Sequence, residues 1–222
     1  MTIRAILTDI EGAAGPLSFL SETLVPYARD RLGTFIAANE EDEEIEEALE
    51  EAGRLMGGFS LKVDEAQALL LRWMKQGRNP TPLKVILGRI WEQGYEAGAF
   101  SASLYPDAAP ALQAWKDAGL RLYTYSASSE RAQKLWLASA GLDAAVFDGF
   151  FDTRMGQKTE EESYKAIAAE LAVPPAEILV LSASDDELDA ARAAGLSTLR
   201  IAREGGGGTH PHAADFASVT LP

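Results

Sequence analysis

The stretch Ile3-Arg4-Ala5-Ile6-Leu7-Thr8-Asp9-Ile10-Glu11-Gly12 decides how the chain is read. Ile3, Ala5, Ile6 and Leu7 form an apolar run of strand length, and the run ends on two carboxylates and a glycine. In open α/β sheets the carboxyl ends of the strands border the ligand crevice. A carboxylate placed there can attack phosphorus and form an aspartyl-phosphate. A second carboxylate two positions on can protonate the leaving group and later activate water. The plainer alternative is that Asp9 and Glu11 open a polar turn, and the pair alone does not choose between the two.

The rest of the chain narrows the choice. It has 222 residues, 47% of them hydrophobic, enough for a packed core in one large domain or one domain with an insertion. A net charge of −14 argues against nucleic acid and anionic membranes as partners, because both need basic patches. The absence of cysteine excludes disulfides, thiolate metal sites and cysteine nucleophiles. No segment is long and apolar enough to span a bilayer. Asp9 stands where a signal peptide would need its apolar stretch, so a cytoplasmic protein is expected, and a monomer.

Past Gly12 the segment 13–16 reads as a loop. From about residue 21 to 98 the spacing predicts helices and no strand. Leu24, Tyr27, Ala28, Leu32, Phe35 and Ile36 recur at helical spacing. The acidic run 40–51 is read as a solvated helix face, because Ile45, Ala48, Leu49 and Ala52 give that helix an apolar stripe. Asp64 is expected to cap the next helix and Gly77 to stop it. Thr81-Pro82 opens another, with proline in its first turn.

From Tyr105 the pattern turns to alternating helices and strands. Helices are expected over 107–118, 130–140, 159–172 and 187–194. Extended segments are expected over 120–125, 147–151, 178–181 and 197–201, with a last short one over 219–221. Thr159 to Glu162 fits a capping box. Alternation of this kind implies a parallel sheet with right-handed crossovers. The expected fold class is therefore α/β, a Rossmann-type parallel sheet core. The core is discontinuous, 1–15 and 101–222, and 16–100 is an inserted all-helical cap domain expected to act as a lid that excludes water.

Three further polar clusters fall at strand ends. Ser126 closes the second core strand, where a hydroxyl and helix N-terminal amides suit a phosphate oxygen. Lys158 precedes a helix and can neutralise both phosphate and Asp9. Asp185, Asp186 and Glu187 follow the fourth core strand and, with Asp9, offer oxygen ligands of the kind Mg²⁺ prefers. Each also has an ordinary reading: a helix cap, a surface lysine, and acids favoured by a helix N-terminus. Their order on successive strand ends carries more weight than any one of them.

That order resembles the haloacid dehalogenase (HAD) superfamily of Mg²⁺-dependent phosphohydrolases and, within it, the enolase-phosphatase (acireductone synthase) family of methionine salvage. The resemblance runs nearly end to end. It rests on Ile6 to Gly12, Val25-Pro26-Tyr27-Ala28, Thr81-Pro82-Leu83-Lys84, Ile90 to Tyr95, Leu122 to Ser126, Ala132 to Leu135, Gly149 to Thr153, Glu187 to Ala191 and Ala202 to Gly206. Glu rather than Asp at position 11 is its narrow signature. The resemblance implies enolisation and then dephosphorylation of a small phosphorylated substrate, 2,3-diketo-5-methylthiopentyl-1-phosphate, through an aspartyl-phosphate. It implies Asp9 as nucleophile and metal ligand. Glu11 becomes the acid/base, with a main-chain oxygen on Mg²⁺. Ser126 binds phosphate, and Lys158 pairs with phosphate and Asp9.

The chain departs from that pattern around the ligand. Ala13 and Ala14 stand where the family has threonines. Ala127 stands at a phosphate-binding position where it has a hydroxyl, and Ser128 where it has glycine. Ala183 stands at the usual third metal-ligand position, an aspartate, with Asp185, Asp186 and Glu187 as possible substitutes. These changes keep two other readings open: a HAD phosphatase for another small phosphorylated substrate, and a catalytically impaired homologue acting as a binding protein. His210 and His212 are read as solvent-facing loop residues rather than a transition-metal site.

Overall fold

The computed structural model describes residues 2–58, 61–203, 205 and 208–221. Its centre is one six-stranded, wholly parallel sheet in the order β3-β2-β1-β4-β5-β6. The strands are β1 (Ala5–Thr8), β2 (Arg121–Tyr125), β3 (Gly149–Phe151), β4 (Ile178–Ser182), β5 (Ser197–Ile201) and β6 (His212–Ala213). β1 is buried along its whole length, as a strand covered on both faces must be. Thr8, its last residue, is level with Thr124 of β2 and Leu181 of β4. Asp9 therefore leaves the sheet between the exits of its two neighbours.

The chain separates into two compact units, Met1–Phe19 with Ser101–Pro222, and Leu20–Phe100. The second is all helical: α1 (Val25–Ala38), α2 (Glu43–Leu55), α3 (Val63–Lys75) and α4 (Thr81–Glu96). These bury Leu32, Ile36, Ile45, Leu70, Trp73 and Ile86 against one another. Side chains of this kind contribute roughly 1.5–3 kcal/mol each when fully buried. The acidic run is indeed a solvated helix face, since Ile45, Ala48 and Ala52 turn inward. Asp42 caps that helix by accepting from the amides of Glu44 and Ile45. Asp64 does not cap α3. The helix starts one residue earlier, and the Glu65 carboxylate accepts from the Lys62 amide at 3.0 Å.

In the first unit α5 (Ala108–Asp117), α6 (Glu130–Ser139), α7 (Glu161–Leu171) and α8 (Asp185–Ala193) flank the sheet. Leu7, Tyr125, Phe151 and Val180 pack with Tyr164, Ile167, Leu171, Leu188 and Ala191 on one side of it. Two expected features differ. No capping box forms at Thr159, because Glu160 instead accepts from the Gln157 amide at 3.3 Å and α7 begins at Glu161. The final strand is β6 rather than 219–221, because Arg200 and Ala202 donate their amides to Pro211 and Ala213 and draw that segment alongside β5.

Candidate active site

Four loops at the carboxyl ends of β1, β2, β3 and β4 carry the polar residues singled out above. The loop after β1 is closed on itself. The amides of Ala14 and Gly15 both donate to the Ile10 carbonyl, and the Gly12 amide donates to the Gly15 carbonyl at 2.7 Å. Gly12 has a φ of 90°, a conformation that costs glycine little. Asp9 is buried at 8% exposure, and its Oδ1 accepts from the Ile10 amide at 2.9 Å.

Lys158 meets it there. Its Nζ lies 2.7 Å from Asp9 Oδ1 and 3.0 Å from Glu187 Oε2, so one ammonium bridges two carboxylates. The loop that delivers Lys158 is pinned from behind. The Tyr125 hydroxyl donates to the Gly156 carbonyl at 3.0 Å, and the Ser163 hydroxyl to the Gln157 carbonyl at 2.8 Å. A side chain at Gly156 would run into Ser163 Oγ. Glu187 is held in turn by the Ser182 hydroxyl, 2.7 Å from its Oε2.

Glu11 faces the loop after β2. The Ser126 hydroxyl donates to its Oε2 at 3.0 Å, and the Ser128 hydroxyl to its Oε1 at 3.3 Å. Gln133 braces that loop, donating from Nε2 to the carbonyls of Ser128 and Phe151, both at 2.9 Å. Ser129 caps α6 by accepting from the Ala132 amide.

The electrostatics are unbalanced. Burial raises the Asp9 carboxyl, pushing it up to about 7, and Glu187 and Glu11 add to the rise against the pull of Lys158. Burial works to lower the Lys158 ammonium, but attraction to Asp9 and Glu187 outweighs it and holds the group above the ordinary lysine range. Burial is the larger cause at Asp9, and the surplus of carboxylates around a single ammonium is the cause at Lys158. The single Lys158 ammonium thus does not hold Asp9 in the ordinary carboxylate range.

The structure brings together Asp9, Glu11, Ser126, Lys158 and Glu187, and separates others. Ala127 is exposed. Asp186 is exposed, and Asp185 lies against Arg200, its Oδ1 3.6 Å from Nε. Of the three candidate substitutes only Glu187 reaches the Asp9–Lys158 pair. Ala183 abuts the tight turn, where a Cβ on Gly12 would lie 3.3 Å from its own Cβ. His210 is not solvent-facing. It is buried, with Nδ1 2.9 Å from Thr198 Oγ1 and Nε2 3.1 Å from Asp189 Oδ1. Local sequence pattern points to no role for Ser128, Gln133 or Ser182, and only Ser128, two residues past Ser126, lies beside a residue that the pattern does single out.

Among the described residues no three acids or histidines converge as a ready metal cage. Mg²⁺ does not require one, since it keeps several waters and takes one or two carboxylates with substrate phosphate. Asp9 and Glu187 on one lysine, with the Glu11 charge adding to them, leave the surplus negative charge that such a cation suits.

The chain belongs to the haloacid dehalogenase-like hydrolase family, whose model matches residues 3–195. Phosphatases of this family generally use Mg²⁺. The chain is 76% identical over 222 residues to the enolase-phosphatase E1 of Xanthobacter autotrophicus, covering 100% of both chains. It is 45% identical to that of Methylococcus capsulatus, over 98% of this chain and 97% of the relative. Among solved structures, the UTR4 protein of Saccharomyces cerevisiae superposes with a TM-score of 0.73 at 27% identity, over 98% of this chain and 100% of the other. The chain is accordingly a phosphatase enzyme, and the binding-protein alternative is not favoured. No helix among the described residues is long and apolar enough to cross a membrane.

Proposed function

We propose that the chain enolises 2,3-diketo-5-methylthiopentyl-1-phosphate and then removes its phosphate, giving an acireductone. The observation that carries this reading is the Lys158 bridge between Asp9 and Glu187, with Glu11 held on the neighbouring loop by Ser126. The ionised Asp9 oxygen attacks phosphorus as the ester P–O bond breaks. Glu11, as the acid, gives its proton to the departing oxygen. Glu11, now a carboxylate, takes a proton from water, which attacks the phosphorus of the aspartyl-phosphate and restores Asp9. Lys158 keeps Asp9 aimed and meets the incoming phosphate charge. The Ser126 hydroxyl leaves Glu11 for a phosphate oxygen when substrate enters. Asp9 and the Glu11 main-chain oxygen would hold Mg²⁺, with Glu187 nearby in place of a carboxylate at Ala183, and the ion would supply charge neutralisation at the phosphoryl group.

Phosphate release from the diketopentyl phosphate, measured with and without Mg²⁺ beside a set of simple phosphate esters, tests the reading. Metal-dependent release that prefers the diketopentyl ester is expected. Turnover of simple esters alone would replace the substrate assignment, and turnover of none would end the reading.

A further inference from the structure

The carbonyl of Ala13, two residues beyond Glu11, is gripped by a side chain from the far end of the sequence. Arg203, just past β5, donates to it twice, from Nε at 3.0 Å and from Nη2 at 2.7 Å. Its third contact is with Asp107, whose Oδ1 lies 2.7 Å from Nη1. Asp107 is itself tied down, since its Oδ2 accepts the Phe216 amide at 2.8 Å. The guanidinium lies 4.0 Å from the centroid of the Tyr105 ring, and the Tyr105 amide donates to the next carbonyl of the loop, Ala14, at 2.9 Å.

Two consecutive carbonyls of the Glu11 loop are thus clamped from outside it. Ala13 and Ala14 carry no polar side chain that could hold the loop by other means. The planar guanidinium meets one acceptor with two donors and a carboxylate with a third, which a lysine ammonium cannot reproduce. We propose that Arg203 is a positioning residue for Glu11. It acts through the Ala13 carbonyl and fixes where the Glu11 carboxyl stands relative to the leaving oxygen. The proposal rests on the reading of Glu11 as the acid.

A general acid matters most when the leaving group is basic. Loss of its alignment should therefore depend on the ester, whereas a general loosening of the fold should not. The experiment compares wild type, Glu11→Gln, Arg203→Lys and Glu11→Gln/Arg203→Lys on the diketopentyl phosphate, an alkyl ester, and on p-nitrophenyl phosphate, an aryl ester. For Arg203→Lys, kcat on the alkyl ester should fall ~10- to 100-fold, the scale of a small misplacement. Its KM, and its kcat on the aryl ester, should stay within ~3-fold. The double variant should be no slower than Glu11→Gln, because the two changes remove one effect. Asp107→Asn, which loosens the clamp without touching its bonds to Ala13, should show the same ester dependence at smaller size, and it serves if Arg203→Lys does not fold. Equal losses on both esters, additive losses in the double variant, or lowered melting temperature with kcat intact would overturn the proposal. If Glu11→Gln itself shows no ester dependence, the reading of Glu11 as the acid falls, and this proposal falls with it.

Discussion

Asp9–Lys158 and Asp107–Arg203 lie in the same unit, and each closes at 2.7 Å, yet they sit in opposite electrostatic balance. At Asp107 burial works to raise the carboxyl, but the Arg203 hydrogen bond and the Phe216 amide outweigh it and hold the group below the usual carboxylate range. At Asp9 burial dominates, and the one cation present is shared with Glu187 while Glu11 adds further negative charge, so the carboxyl is raised. One pair is satisfied and clamps the loop that carries Glu11. The other is left short of positive charge at the place where a phosphate and a divalent cation are proposed to meet. A buried ion pair is thus not a stabilising feature by itself; the surrounding donors and charges decide its sign.

The strongest way to break the contrast is to neutralise the reactive side. Asp9→Asn should lower phosphate release by at least ~10⁴-fold, as losing a covalent nucleophile does, and a discontinuous phosphate assay reads it. The same change should stabilise the metal-free protein above pH 7. A carboxyl raised in the folded state contributes stability that is present below its unfolded value, near 3.8, and is lost as pH rises through about 7. The melting temperature of Asp9→Asn should exceed that of wild type by roughly 5 °C at pH 8, with the gap closing toward pH 4.

Removing the shared cation should be nearly as severe. Lys158→Met should cost ~10²- to 10³-fold in kcat, and by leaving Asp9 and Glu187 unpaired it should destabilise the fold by about 3 kcal/mol in urea titration. Ala183→Asp sharpens the comparison from the other direction. A further carboxylate beside Gly12 should tighten Mg²⁺ binding by ~10-fold or more, judged from the effects of outer-shell partners on metal affinity, with calorimetry as the readout. The smallest effect is expected at the satisfied pair. Asp107→Asn should cost about 1–3 kcal/mol at neutral pH. That loss should vanish in acid, because a lowered carboxyl contributes stability that is present above its unfolded value and is lost as pH falls through the folded one.

Much of this contrast could be read from the chain. The apolar run ending on Asp9 and Glu11, the helix-only stretch after it and the strand–helix alternation from Tyr105 all follow from local pattern, and Ser126 and Lys158 follow from their places at strand ends. What the pattern did not show is how carboxylates share cations. Asp185, Asp186 and Glu187 are equivalent in sequence, and only the helical turn beginning at Asp185 sends Glu187 to Lys158 and leaves Asp185 with Arg200. Arg203 and Asp107 are 96 residues apart, one just past a strand and one at the start of a helix, and nothing in local pattern pairs them. His210 looked solvent-facing because a glycine-rich neighbourhood hides its pairing with Asp189 and Thr198. Long-range polar pairing leaves no period in a sequence, whereas packing does.

The most direct test is a carbon-detected NMR titration of the aspartate side-chain carboxyls in the metal-free protein, with Asp9→Asn and Asp107→Asn assigning the two resonances. Asp9 should titrate near 7 and Asp107 below the ordinary aspartate range. Two carboxyls titrating together near the ordinary value would contradict this.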